Sequence, residues 1–294
     1  MKRILALCLF MVALGVTAQV SANRFFYELT YRPGVEVDSL HKTMTILDVT
    51  KDKSLYRDFL MVSQDSLLEV EMEKMRKSGT FKDLSKMFKT PKFSYKITKT
   101  YPSMDIRYTD QILQDVVGYE EKLKLDWKIQ EEKSMIGEYS AQKATTQFGG
   151  RSWTAWFSTE LPMPDGPYKF HGLPGLIVKI SDSENHYSWE LKGNKPVADF
   201  QEISYSEKMQ KEFGGGRGET LMVERKRFEQ MYEAYRKDPF GSIRSQLAQV
   251  PHDAKMPDGT SVAQMLKNQE EQLKKFLNEN NNSIERSAPA KTKK

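Results

Sequence analysis

The chain has 294 residues, with 45 Lys and Arg against 40 Asp and Glu and a formal charge of +5. At 38% hydrophobic and 29% charged, it has the composition of a folded soluble domain, not of a disordered or collagen-like chain. A net charge that small and that dispersed excludes a nucleic-acid surface.

The N-terminus reads MKRILALCLFMVALGVTAQVSA. Lys2 and Arg3 precede a short apolar stretch, Ile4 to Val16, and two small-residue cleavage sites follow, ending at Ala18 and Ala22. This is the pattern of a secretory signal peptide. The stretch is about 13 residues, whereas a spanning helix needs roughly 20, and no other run is as apolar, so no transmembrane span is expected after cleavage. Removing Lys2 and Arg3 with no acid lowers the charge from +5 to +3. The only cysteine, Cys8, leaves with the leader, so the mature chain carries neither a disulfide nor a thiol nucleophile.

Downstream, period-two alternation predicts half-buried strands. Phe25, Tyr27, Leu29 and Tyr31 share one face, with Glu28 and Thr30 opposite. HKTMTILDVT and KSLYRDFLMV are two further β-rich runs flanking a turn at Lys51-Asp52-Lys53. A helical excursion over 63–88 follows, with Leu68, Met72 and Met75 in a stripe, Ser63 or Asp65 as N-cap and Gly79 as terminator. Phe93, Tyr95, Ile97 and Tyr101 then share a face against Lys96, Thr98 and Thr100. AQKATTQF and RSWTAWFS flank Gly149-Gly150 as a hairpin. Its return strand carries Arg151, Trp153, Ala155 and Phe157 on one face and Trp156 on the other.

YKFHGLPGLIVKI, Tyr168 to Ile180, follows the turn Pro164-Asp165-Gly166-Pro167. A phosphate cradle needs glycines that open a helix; here a β-branched strand follows, so the segment reads as a sharp entrance to a core strand. Leu173-Pro174-Gly175 has the type II turn pattern, which predicts a positive φ at Gly175. Tyr187, Trp189 and Leu191 mark the next strand, reached through a turn at Asp182-Ser183-Glu184-Asn185. The glycine-rich run Phe213 to Gly218 reads as a flexible loop. Two helical stripes come after it: Leu221, Phe228, Met231, Tyr232 and Tyr235, then Val262, Met265, Leu266, Leu273, Phe276 and Leu277, the latter behind Pro257-Asp258-Gly259. SAPAKTKK closes the chain as a disordered tail.

The organisation is therefore a signal peptide over 1–22, an antiparallel β-rich domain over 23–213, a helical region over 214–280 packing on the sheet, and a tail over 281–294. The fold class is α+β, mostly β: a curved antiparallel meander with flanking amphipathic helices. Its four histidines, His41, His171, His186 and His252, are scattered, with no metal-site spacing. No nucleophile elbow, nucleotide loop or calcium loop occurs. No catalytic residue, metal or cofactor is assigned.

Trp153, Trp156 and Phe157, then Gly166, Pro167, Phe170, Gly172, Leu173, Pro174, Gly175, Leu176 and Ile177, together resemble the GLPGLI family, exported envelope proteins of Bacteroidota. The run from Asp126 to Ile129, Tyr139 and Gln142 to Thr145 is similar as well. The resemblance is strongest over roughly 95–195, and it implies an exported β-rich protein of no established reaction. Motif residues are accordingly expected to be structural. The expected function is non-enzymatic binding or scaffolding of an envelope protein, in the periplasm, at the outer membrane or outside the cell. A carrier of a lipid or other apolar ligand in a sheet cavity, and a hydrolase of glycan or cell-wall material, are the alternatives.

Overall fold

The period-two runs become strands, and the strands join one sheet. A computed structural model describes residues 20–82, 84, 87–89, 91–113, 115–213, 219–251, 254, 255, 259 and 261–286. The strands are β1 (Ala22–Tyr31), β2 (His41–Val49), β3 (Lys53–Asp58), β4 (Lys96–Thr100), β5 (Asp105–Ile112), β6 (Asp115–Glu121), β7 (Lys128–Ile136), β8 (Tyr139–Phe148), β9 (Arg151–Ser158), β10 (Leu176–Asp182), β11 (Tyr187–Val197) and β12 (Leu221–Met222). The helices are α1 (Phe59–Ser78), α2 (Tyr205–Phe213), α3 (Arg225–Lys237), α4 (Arg244–Leu247) and α5 (Val262–Glu279), with a 3-10 turn at Gly241–Ile243.

The strand order is β12-β6-β5-β4-β3-β2-β1-β11-β10-β9-β8-β7. This is two meanders back to back, one running outward from β1 to β6, the other running inward from β7 to β11. They fuse where β11 pairs antiparallel with β1. Among the described strands only β12 is parallel to its neighbour, β6. The link between the meanders fixes the curvature. Ten strand steps separate β6 from β7, about 48 Å along the sheet at ~4.8 Å per step. Residues 122–127 join them and reach at most about 25 Å. The sheet must therefore curl until its two ends approach. Leu123, Leu125 and Trp127 of that link pack against the core.

The core fills the inner face of the curl. Phe25, Tyr27 and Leu29 of β1, Tyr56 of β3, Ile97 of β4, Trp153 of β9 and Trp189 of β11 are all buried there. Burial of each large side chain stabilises by roughly 1.5–3 kcal/mol. Phe228 of α3 caps one side, against Tyr108 and Tyr119. The outer face near β2 and β3 is covered by α1, which also packs on α2.

Several boundaries differ from the sequence reading. Helix α1 starts at Phe59, so Phe59–Val62 are helical rather than the end of a strand. Its N-cap is Asp58, whose carboxylate accepts from Leu60 N at 2.9 Å; Ser63 and Asp65 lie inside the helix. Gly79 terminates it at φ 66. Leu221 belongs to β12 and not to α3, because its backbone joins the edge of the sheet. Phe213 ends α2, while 214–218, Pro257 and Asp258 lie outside the described residues, as do 1–19 and 287–294. Residues 281–286, expected in the tail, are part of the fold: Asn282 and Ile284 are buried. Their backbone is tied down by Asn282 N to Pro33 O at 3.0 Å and Arg286 N to Gly149 O at 2.9 Å.

Candidate functional site

The family-like motif is a plug in the curled sheet. The hairpin glycines Gly149 and Gly150 both have positive φ, 58 and 70, as a two-residue loop requires. They send β9 back so that Trp153 and Phe157 face inward, while Trp156 is half-buried on the outer side. Residues 159–175 then leave the sheet and fold under it. Gly172 N donates to Pro164 O at 2.9 Å, Leu176 N to Leu161 O at 2.9 Å and Ile177 N to Asp165 O at 2.9 Å. Gly166, Pro167, Tyr168, Phe170, Leu173, Leu176 and Ile177 are buried, whereas Gly172 and Pro174 are exposed. The Phe170 ring meets Trp153 edge-on at 4.7 Å.

The expected positive φ at Gly175 is not there. Gly172 holds it, at φ 94, so Leu173-Pro174-Gly175 is not a type II turn. Gly175 is glycine for a different reason. A Cβ on it would lie 2.2 Å from Ser158 O and 2.6 Å from Ser158 C, both backbone atoms of β9. The left-handed φ of 53 falls instead on Tyr168, a conformation that costs a bulky residue and needs its surroundings to hold it.

Buried charges do the holding. Lys99 is fully buried, pairs with Asp165, and donates to Gly166 O at 2.7 Å and Tyr168 O at 3.1 Å. Burial pulls the Lys99 ammonium below its usual range while Asp165 opposes the shift. Tyr101 donates its hydroxyl to the same carboxylate. Lys169, also fully buried, lies 2.5 Å from Glu121 Oε1 and 2.6 Å from Glu285 Oε1. Arg225 bridges those two carboxylates from α3. Burial would push Glu285 up, but Lys169 and Arg225 together hold it below the usual carboxylate value. His171 is driven down to about 4, first by burial and then by Lys99.

Asp182, Glu184 and His186 cluster in the β10–β11 turn. Arg151 fills the space a cation would take: its Nη1 lies 2.6 Å from Asp182 Oδ2 and 3.3 Å from His186 Nδ1. Its other nitrogens donate to Ile284 O at 3.1 Å, Asn282 Oδ1 at 2.6 Å and Ser283 O at 2.8 Å. The cluster is an arginine socket that clips 281–286 onto the sheet.

On the outer face lies a half-enclosed cavity of about 880 Å³, within the ~300–1,000 Å³ range of small-molecule sites. Its floor is the sheet, with Arg24 of β1, Arg57 of β3, Lys96 of β4 and Thr109 of β5; α1 and α2 form the walls. Helix α2 starts there because Ser204 and Glu207 form a capping box, Ser204 N to Glu207 Oε2 at 2.8 Å and Glu207 N to Ser204 Oγ at 3.2 Å. Asp65 of α1 accepts from Tyr205 N at 2.6 Å and Ser206 N at 2.8 Å, tying the two walls together. Lys96 Nζ reaches Glu207 at 2.6 Å. Asp110 accepts from Ser94 Oγ at 2.6 Å and Gln111 N at 2.8 Å, yet burial still pushes its carboxyl up to about 6.

The motif residues named from sequence thus gather on the inner face, with Trp156 behind them, and none of them lines the outer cavity. The cavity residues went unnoticed because cross-strand register assembles them: Arg24 pairs Asp48, and Asp48 pairs Leu55 two residues before Arg57. Lys99 did leave a signal, being a lysine in phase with Tyr95 and Ile97 on the apolar face.

The profile of a family described as "Protein of unknown function (Porph_ging)" matches residues 148–179, which run from the β8–β9 turn to β10. No curated protein matches the sequence. Among solved structures, PNGF-II in the C2 space group is similar with a TM-score of 0.48 and 13% identity, over 74% of this chain and 33% of that one. PNGF-II in the P21 space group gives 0.48 and 14%, over 74% and 34%. The chain spans about a third of the length of those proteins. Among the described residues, no helix is long and apolar enough to cross a membrane.

Proposed function

We propose that this is an exported envelope protein of the GLPGLI type that binds a polar small molecule without transforming it, and that the binding site is the outer-face cavity. The observation that carries the reading is the cavity itself: two helices stand off a sheet face whose floor is charged. The motif face supports it from the other side. There Lys99, Asp165, Lys169, Glu121 and Glu285 are committed to holding the plug and Arg151 and Asp182 to holding 281–286, so that the charges of that face, among the described residues, are engaged with one another rather than converging on a cleft. An apolar carrier needs an apolar chamber in the curl, and Tyr168, Phe170 and Leu173 stand where that chamber would be.

Export fits the chain start. Val20 O accepts from Phe200 N at 2.9 Å and Ala22 opens β1. Cleavage after Ala18 spares both, whereas cleavage after Ala22 removes both. N-terminal sequencing of the protein from its own envelope is expected to start at Gln19.

A second reading, hydrolysis of glycan, draws on one observation. Two cavity carboxylates are biased in opposite directions, Asp110 up and Glu207 down, as acid and base pairs are. Both have structural duties, however, Asp110 to Ser94 and Glu207 to Lys96 and the α2 cap, so binding is preferred.

The test is native mass spectrometry of the chain purified gently from its own envelope, beside Gln210→Trp, which narrows the mouth at α2 without breaking a described hydrogen bond. A small molecule retained by the wild type and lost from the variant is expected. Equal retention by both, or no retention by either, overturns the reading.

A further inference from the structure

Resting on that cavity, we infer that it takes its ligand by an oxyanion, a phosphate ester or a carboxylate, held by Arg24 and Arg57. Two guanidiniums share one carboxylate there. Arg24 already satisfies Asp48 in a fork, Nε to Oδ1 at 2.5 Å and Nη2 to Oδ2 at 3.0 Å. Arg57 adds one long contact, Nη2 to Oδ2 at 3.3 Å. Arg57 is therefore surplus to the pairing of Asp48, which is itself fully buried.

The surplus is costly. Arg57 is 5% exposed, its Nε has no hydrogen-bond partner, and among the described residues its guanidinium makes one of the five hydrogen bonds it can donate. A buried arginine with idle donors is unfavourable unless something accepts from it. Burial lowers the affinity of Arg57 for its proton, with Asp48 opposing, as expected for a cation short of negative charge. Of the other carboxylates on the cavity wall, Glu207 adds a weaker opposing charge, and none makes a hydrogen bond to Arg57 among the described residues. Asp65 is held by the α2 amides, Glu207 by Lys96 and the capping box, and Asp110 by Ser94 and Gln111. Glu69 and Asp199 lie exposed at the rim.

A planar guanidinium fork matches the oxygen spacing of carboxylate and phosphate; the idle donors here are those of Arg57, while Arg24, whose fork is held by Asp48, adds its charge beside them. Arg24, Arg57 and Asp48 by themselves carry one net positive charge, a local excess set within a lining that also holds Lys96 and Lys208 and the acids Asp65, Glu69, Asp110, Asp199 and Glu207. The cavity is far larger than a bare ion requires, so the oxyanion is the anchor of a larger polar molecule.

The experiment titrates the mature full-length chain with inorganic phosphate, glycerol 3-phosphate and succinate, and with glycerol as a neutral control. Arginine Hε–Nε resonances are followed in ¹H–¹⁵N spectra. Saturable shifts of the Arg57 and Arg24 resonances are expected with a phosphate or with succinate and not with glycerol, and the probe that shifts them identifies the oxyanion. Arg57→Gln should abolish the response. Arg57→Lys, which keeps the charge and loses the fork, should weaken it about tenfold. Arg107→Gln, at an exposed arginine of β5, should change nothing, and the same spectra report whether each variant is folded. No saturable shift with any probe, or an unchanged response in folded Arg57→Gln, overturns the inference. The cavity reading fails separately: a neutral molecule retained in a Gln210-dependent way would sustain it while sinking the oxyanion.

Discussion

Gly175→Ala tests how the motif works. The added Cβ lands 2.2 Å from Ser158 O, about 1.2 Å short of ordinary contact at 3.4 Å. The obstacle is backbone inside the β9–β10 ladder, where Leu176 pairs Ser158, so no side chain can swing away. Relief means moving the plug off β9. That strains or breaks Leu176 N to Leu161 O and Ile177 N to Asp165 O, both 2.9 Å. Overpacking costs about 1–3 kcal/mol and each of the two hydrogen bonds about 0.5–1.5 kcal/mol, so the expected loss is about 2–6 kcal/mol. Gly172→Ala is the internal comparison. Its φ of 94 disfavours a side chain, but the nearest atoms to a new Cβ are those of Trp127 at 3.9 Å, so only backbone strain of about 1–3 kcal/mol applies. Urea unfolding of residues 19–294, followed by tryptophan fluorescence, measures both. If Gly175→Ala costs less than Gly172→Ala, the close-approach argument is wrong.

Lys99→Met strands the Asp165 carboxylate in the core and should cost about 3–5 kcal/mol; adding Asp165→Asn should restore part of the loss, and strict additivity of the two would refute the pairing. Asp110 binds its proton more tightly folded, at about 6 against an ordinary 3.8, so its contribution to stability is full below pH 3.8 and declines as pH rises to 6. His171 behaves oppositely: at about 4 against 6.5, it contributes fully above pH 6.5 and loses that as pH falls to 4. The two nearly offset in the wild type. Stability of Asp110→Asn relative to wild type should therefore climb between pH 3.8 and 6, by up to about 3 kcal/mol, and a flat difference across that window would contradict the assignment. A chain ending at Asn280 leaves Arg151 without Asn282, Ser283 and Ile284 and Lys169 without Glu285, and should be several kcal/mol less stable in urea than one ending at Arg286; equal stability would mean that 281–286 clip nothing.

Strand identity was legible because one-sided burial writes a period of two into the residues, as at Phe25 to Tyr31. The Gly149-Gly150 hairpin was legible because two positive φ values leave few residue choices. Strand order was not, since β1 meets β11 through a pairing of Tyr27 with Leu191 that no local pattern announces. The tail was misread for a similar reason. Asn282 and Glu285 look like solvent residues until Arg151 and Lys169, far away in sequence, are seen to reach them beyond Asp182 and Glu121. The constraint on Gly175 was misread as a positive φ, because a turn signature can be read from three residues while a close approach to Ser158 cannot.

The most direct test of the account is where ligand contact falls. Amide and arginine chemical shifts of residues 19–294 would be mapped during titration with a small-molecule extract of the cells that make the protein. Shifts confined to the outer cavity, at Arg24, Arg57, Thr109 and Tyr205, are the predicted result. Shifts centred on the plug from Tyr168 to Leu173, or none in the cavity, would contradict the assignment of the binding site.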